Sequence, residues 1–198
     1  KLSGHKDDYE WLIGLFGMLD SAISVASFRK SLANGYCEPV IEGSDAHKLN
    51  ILDGYHPLIK KPVTNSIDTH RGILLTGSNA SGKSTFLRMI AINAILAQTI
   101  NTVCAKSYSA PKYKIFSSIA LTDNLLGGES YFIVEIKSLK RILDASSEGM
   151  PVLCFVDEVL RGTNTVERIS ASKVILESLN KQNVLCFAAT HDIELTYI

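Results

Sequence analysis

Residues 74–87 read LLTGSNASGKSTFL, and no other stretch constrains the chain as much. An apolar run ends at Thr76, and the next six residues, Gly77, Ser78, Asn79, Ala80, Ser81 and Gly82, have almost no side-chain surface to bury. Side chains this small let backbone N–H groups approach a ligand, and glycine supplies the dihedrals that a tight turn needs. Lys83, Ser84 and Thr85 follow at the start of a helical apolar pattern. Backbone donors and the positive end of a helix together form an anion cradle. Lys83 can reach outer phosphates and Ser84 can ligate Mg²⁺. The spacing Gly77, four residues, Gly82, Lys83, Ser84 predicts a phosphate-binding loop between a strand and a helix.

The pattern around the loop is regular. Residues 72–76 predict a short apolar strand, 83–100 a helix, 114–119 a strand and 130–145 a helix. VLCFVDE at 152–158 predicts a buried strand, 166–181 a helix, and VLCFAATHD at 184–192 a buried strand with a polar end. Continuous apolar strands alternating with helices predict an α/β fold with a mainly parallel sheet flanked by helices. Upstream, residues 8–32 carry apolar side chains at Trp11, Leu12, Leu15, Phe16, Leu19, Ile23, Ala26 and Phe28. That spacing predicts a long N-terminal helix, apolar over much of its circumference and buried on more than one side, ended by Asn34-Gly35. Residues 36–70, broken by Pro39, Gly43, Gly54, Pro57 and Pro62, predict short β segments and turns. The chain thus divides into a helical connector at 1–34 and a main domain at 35–198.

Twenty basic and twenty acidic residues cancel, which excludes a strong overall positive field for nucleic acid. Any DNA contact is then local or lies outside this chain. An apolar content of 46% supports a substantial core. Cys37, Cys104, Cys154 and Cys186 are scattered without CxxC or metal-ligand spacing, which suits a reducing cytoplasm. Cys154 and Cys186 sit inside apolar runs and read as small core side chains. Neither a signal peptide nor an apolar stretch of membrane length is expected, and so no membrane partner.

A phosphate loop needs acidic partners on a neighbouring strand. Asp157 and Glu158 end the run VLCFV, where one carboxylate can organise Mg²⁺ and the next can orient and polarise an attacking water. His191 follows the last buried strand, at the sheet edge where ligands of open α/β folds collect, and reads as a γ-phosphate sensor.

Four segments, in this order, resemble the C-terminal ATPase of the MutS family, a P-loop NTPase branch allied to ABC-type ATPases. They are TGSNASGKSTFLR at 76–88, GGESYFIVEI at 127–136, DEVLRGTNT at 157–165 and ATHDIELT at 189–196. GYHPLI at 54–59 looks like the family's HP segment, and the N-terminal helix resembles the end of its lever. The resemblance covers roughly residues 36–198. It implies ATP and Mg²⁺ as cofactors and an ATPase whose catalytic set is Glu158, Asn79, His191 and Ser130. ATP would lie along residues 77–85 and against Val63 and Asn65, where the family supports the adenine base; Ser84 and Asp157 would hold the metal. Ser130 matches a serine that contacts the γ-phosphate bound by the opposite subunit; its residue type and place alone also fit a helix cap.

The resemblance further implies a homodimer through the ATPase domains, with closure of composite sites coupled to double-stranded DNA held by parts of the parent protein outside this chain. In the family, further strands and a dimerisation element follow, so the domain is expected to be truncated at its C-terminus. Three departures point to a divergent MutS-like branch. Val63 stands where many mismatch-repair members carry an aromatic residue, Glu129 where they often carry Arg, and Leu160 where Gly is common. Two alternatives stay open: a nucleotide-gated dimerisation scaffold with little turnover, and another ABC-type chromosome-maintenance ATPase.

Overall fold

Two strands alternate so strictly in what their side chains meet that they define the layers of the molecule. The computed structural model describes residues 5–43, 47–78, 81–119, 131–160 and 164–197. Its elements run α1 (Lys6–Ser31), β1 (Val40–Glu42), β2 (Leu49–Gly54), β3 (Asn65–Thr69), β4 (Ile73–Thr76) and α2 (Lys83–Ile100). Then come β5 (Ser107–Pro111), β6 (Lys114–Ser118), α3 (Tyr131–Ala145), β7 (Val152–Asp157), α4 (Thr165–Leu179), β8 (Val184–Thr190) and a closing 3-10 turn (Ile193–Tyr197).

β4, β8, β7 and β6 lie side by side in that order, and every pairing is parallel. Along β7 and β8, Leu153, Phe155, Leu185, Phe187 and Ala189 pack in one cluster with Leu87, Ile90 and Ala94 of α2. The intervening Val152, Cys154, Val156, Val184, Cys186 and Ala188 pack in a second cluster with Leu139 and Ile142 of α3 and Leu179 of α4. The period-two alternation of a strand thus feeds two cores, and helices cover both faces as expected. Phe155 and Phe187 are register partners and stack at 5.7 Å between centroids. Cys154 and Cys186, also register partners, are free thiols in the core, as their apolar setting predicts.

A second sheet, in the order β1-β5-β2-β3, is mixed: β1 pairs parallel with β5, while β2 is antiparallel to both β5 and β3. The short segments expected within residues 36–70 are β1, β2 and β3. β5 was not expected, because SYSAP has little strand character of its own. Its strand state depends on pairing with β1 and β2, which turns Tyr108 and Ala110 inward.

α2 lies between the sheets, since its buried residues share a cluster with Leu49, Ile51 and Ile67 as well as with β7 and β8. Asn93, fully buried on α2, donates from Nδ2 to Tyr55 O (3.0 Å) and Met89 O (2.9 Å) and accepts from the Cys104 N–H at Oδ1 (2.7 Å). This amide holds the helix against both flanking loops.

α1 corrects two expectations. Its sequence predicts burial on more than one side, yet none of its residues is buried, and Trp11, Ile13, Phe16 and Met18 are 65–70% exposed. The apolar surface is real, but the other described residues do not cover it. The helix also contains an 18-residue window of mean hydropathy 1.6, long and apolar enough to cross a membrane by length and composition. The expectation that no such stretch exists is therefore withdrawn. The C-terminal end of α1 engages the body: Arg29 donates to Thr102 Oγ1 (2.8 Å) and Asn101 O (2.8 Å) and lies 5.0 Å from the Tyr36 ring centroid.

Replacing Asn93 by Ala leaves the buried Cys104 N–H without its acceptor, a change expected to cost about 2–3 kcal/mol. Urea unfolding of Asn93→Ala should show this as a lower midpoint with an unchanged slope.

Candidate functional site

The site forms where three parallel strands end side by side. Register pairs Thr76 with Thr190 and Asp157 with Ala189, so the residues that leave β4, β7 and β8 emerge at one edge. At that edge Gly77 takes φ +146° and Gly82 takes φ +92°, both in the region that favours glycine. A Cβ on Gly77 would stand 3.4 Å from Ser81 Oγ, so the turn is close as well as left-handed. Gly82 is the N-cap of α2 without a side-chain cap, and no acidic residue occupies the first turn. The N–H groups of that turn and the helix dipole therefore offer an uncancelled positive end.

Lys83 Nζ folds back to donate to Gly77 O (2.6 Å) and Ser78 O (2.9 Å), neither of which cancels its charge. His191 Nδ1 lies 2.8 Å from the same Gly77 carbonyl, an acceptor only, so Nδ1 carries the proton. His191 Nε2 lies 2.6 Å from Glu158 Oε1. A hydrogen bond of this length requires a proton between that nitrogen and that oxygen. Loop, histidine and acid are thus one connected unit.

The acid pair is split by its backbone. Asp157, the last residue of β7, is buried. Glu158 is half-buried, with φ +60° and its N–H donated to Ala189 O (2.9 Å). This left-handed turn directs consecutive carboxylates differently, and a neighbouring strand holds the strained residue in place. Leu160 is also left-handed, at φ +58°. A glycine here would meet the backbone requirement without strain; instead a leucine meets it, with its side chain buried and its N–H donated to Glu135 Oε1 (2.6 Å).

On the other side of the loop, an open cleft of about 660 Å³ is lined by His56, Val63, Asn65, Thr76, Ser81, Gly82, Lys83, Thr85 and Phe86 among others. Val63 and Asn65 therefore share one cavity with the loop, and Asn65 Nδ2 donates to Val63 O (3.3 Å). Ser84 follows Lys83 in the first turn of α2. Of the expected site residues, Asn79, Ala80 and Ser130 lie outside the described residues, as does Glu129.

Three side chains at this edge were not singled out from the sequence. His56 accepts from the Leu58 N–H at Nδ1 (3.3 Å), and burial, with the Arg88 charge nearby, pushes its pKa down, so it faces the cleft as a neutral ring. The HP pair itself was the available signal. Glu135 is buried on α3 in line with Ser138, Leu139 and Ile142, a helical stripe on which a lone carboxylate stands out. Arg168 of α4 holds Asp192 by two bonds, Nε to Oδ2 (2.9 Å) and Nη2 to Oδ1 (2.7 Å). Hydrogen bonding to Arg168 keeps the Asp192 carboxyl below the usual carboxylate range, and the same bond raises the Arg168 pKa. Nothing in the local sequence pairs these two residues.

The fold and edge define an α/β protein in which a glycine loop, an acid pair and a histidine meet at the carboxyl ends of a parallel sheet. Residues 73–198 match the family model for MutS domain V. The chain is 36% identical over 154 residues to the DNA mismatch repair protein MutS of Thermus aquaticus, covering 75% of this chain and 19% of that protein. It is 36% identical over 182 residues to the protein of the same name from Wolbachia pipientis wMel, covering 89% of this chain and 21% of that one. The MutS protein of Clostridium kluyveri is likewise 36% identical, over 85% of this chain and 20% of its own length. The chain belongs to the MutS family. It spans about a fifth of the length of these curated relatives.

At position 160, glycine would release about 1 kcal/mol of left-handed strain, whereas removing a buried leucine side chain costs about 2–5 kcal/mol. Leu160→Gly is therefore expected to destabilise by about 1–4 kcal/mol, read as a lower midpoint in thermal or urea unfolding.

Proposed function

We propose that this chain is the ATP-binding and ATP-hydrolysing part of a MutS-like DNA mismatch repair protein, with a P-loop NTPase fold of the ABC-allied type. One observation carries the reading. The Gly77 carbonyl accepts from both Lys83 Nζ and His191 Nδ1, and His191 Nε2 meets Glu158, so the loop is wired directly to an acid and a histidine.

The donor set suits a nucleotide polyphosphate with a divalent cation. Among the described residues the Lys83 charge meets two neutral carbonyls, the helix end beside it has no side-chain cap, and the adjoining cleft has room for a nucleoside. The loop residues Gly77, Ser78, Ser81, Gly82, Lys83, Ser84 and Thr85, with Asn79 and Ala80, would hold the phosphates. Val63 and Asn65 would support the base, and Ser84 and Asp157 would hold Mg²⁺, which when bound supplies charge neutralisation at the phosphates.

The chain's own residues then have separate tasks. Lys83 moves its charge from two carbonyls to phosphate oxygen. Glu158 orients and polarises the attacking water. His191 aims the Glu158 carboxylate through Nε2 and reports on the loop through Nδ1. Positioning and electrostatics of this kind are what phosphoryl transfer to water requires.

The relatives' printed names and the family match support a mismatch repair parent, and the resemblance of the motifs suggests a wider reading. In it, two copies of the parent protein face each other, Ser130 of one subunit completes the nucleotide site of the other, and closure is coupled to double-stranded DNA held elsewhere in the parent. A reducing, cytoplasmic setting suits the four free thiols.

In the full-length parent protein, Glu158→Gln should keep ATP affinity while single-turnover hydrolysis falls by about 10²-fold or more. Lys83→Ala should weaken ATP binding by roughly 10–100-fold. Unchanged turnover in Glu158→Gln would remove Glu158 from its role.

Mixed dimers test the contribution in trans. A Lys83→Ala subunit paired with a Ser130→Ala subunit retains one intact composite site, whereas either homodimer has none. Steady-state ATPase activity of the mixture should exceed that of both homodimers. A mixture no more active than they are rules out the role of Ser130 across the interface.

A further inference from the structure

We propose that the Arg168–Asp192 ion pair is the positioning element of His191, clamping the segment after β8 to the first turns of α4 so that the imidazole spans Gly77 and Glu158. The inference rests on the reading of this edge as the ATP-hydrolysing site, and it assigns a task to two residues that reading leaves without one.

Sequence adjacency comes first. Asp192 directly follows His191, so whatever holds the Asp192 side chain sets where the His191 backbone sits. A guanidinium bonded through both Nε and Nη2 to the two carboxylate oxygens fixes direction as well as distance. The two side chains are 25% and 13% exposed, partly shielded from water and salt. On the chain itself, the Asp192 N–H donates to Thr190 Oγ1 (3.0 Å), and Thr190 is buried at the end of β8. His191 is therefore held on both sides.

Packing does not do this job. A cavity of about 250 Å³ opens among Glu158, Val159, Arg168, Thr190, His191 and Asp192, so directional bonds must locate the segment. α4 is a suitable reference for that purpose. The Asn164 side chain caps it by accepting the Glu167 N–H (3.0 Å), and Ser172 Oγ donates to Val159 O (3.4 Å). The helix that holds Asp192 is thus also tied to the residue after Glu158, and one rigid body registers acid and histidine to each other.

Charge gives the same assignment. Asp157, Glu158 and Asp192 crowd one sheet edge, and the Arg168 cation is close enough to feel Glu158 as well as Asp192. Without Arg168, an unpaired Asp192 carboxylate would compete with Glu158 for the imidazole and repel Glu158 itself. The pair thus leaves His191 to a single carboxylate.

The test uses full-length protein labelled with ¹⁵N in its histidine rings, with the His191 signals identified by their loss in His191→Asn. In wild type, the His191 Nδ1–H should be protected from exchange with water. In Arg168→Ala that protection should vanish, and single-turnover hydrolysis should fall on the order of 10²-fold, the penalty for loosening a reacting group by about 1 Å. ATP affinity should change by less than about threefold, because only the positioning of the water-activating group is lost. The reversed pair, Arg168→Asp with Asp192→Arg, should restore both ring protection and part of the turnover.

Should Arg168→Ala fail to fold, Arg168→Lys and Asp192→Asn supply the same comparison with smaller perturbation. An unchanged His191 ring spectrum in the Arg168 variants overturns the proposal, as does turnover that falls only in proportion to lost ATP affinity. If the wild-type protein itself hydrolyses no ATP, the assignment of the site fails, while the ring spectra still decide whether Arg168 holds His191.

Discussion

The register of β4, β8 and β7 is the constraint on which the rest of the structure depends. Three parallel strands pair so that Thr76 stands beside Thr190 and Asp157 beside Ala189. A shift of one residue in either pairing would turn every core side chain of a strand to the opposite face. The two clusters on the two faces, with Phe155 stacked on Phe187 in one and Cys154 beside Cys186 in the other, make that shift prohibitive. Because the register is locked, the residues just past the strand ends are locked too, and Gly77, Glu158 and His191 come within hydrogen-bonding reach.

α2 joins this edge to the opposite end of the domain. Its first turn borders the glycine loop, its middle is held by the three bonds of Asn93, and its last carbonyls lie beside Arg29 of α1. A cation at a helix C-terminus is favoured by the helix dipole as well as by the hydrogen bonds it donates. The helix that presents the loop at one end is therefore fastened to α1 at the other, while Trp11, Ile13, Phe16 and Met18 further up α1 are exposed.

Polar contacts at the edge are arranged by two left-handed residues that are not glycine. Glu158 and Leu160 lie on either side of Val159, and each is fastened by its N–H, one to β8 and the other to Glu135 of α3. A backbone that pays for strain at two positions within three residues is held by its surroundings rather than by local preference. The acid pair consequently presents one buried and one accessible carboxylate, a difference that composition alone does not suggest.

Much of the architecture was legible because it rests on local patterns. Unbroken apolar runs at 152–156 and 184–189 announced strands buried on both faces, and the predicted helix at 83–100 coincides with α2. The glycine spacing, the acid pair and the final histidine stood out as motifs. What stayed hidden was long-range. β5 is a strand only through its partners, and the ion pair joining Arg168 to Asp192 links residues 24 apart. The exposure of α1 was hidden as well, since an apolar helix declares a need for cover but not its source. By itself, the sequence determined every element but β5, their order and the chemical types available, since propensity, periodicity and turn residues act over a few positions. Tertiary structure alone decided which of those groups touch, because a contact between distant residues depends on strand register and helix placement, which the whole core settles together.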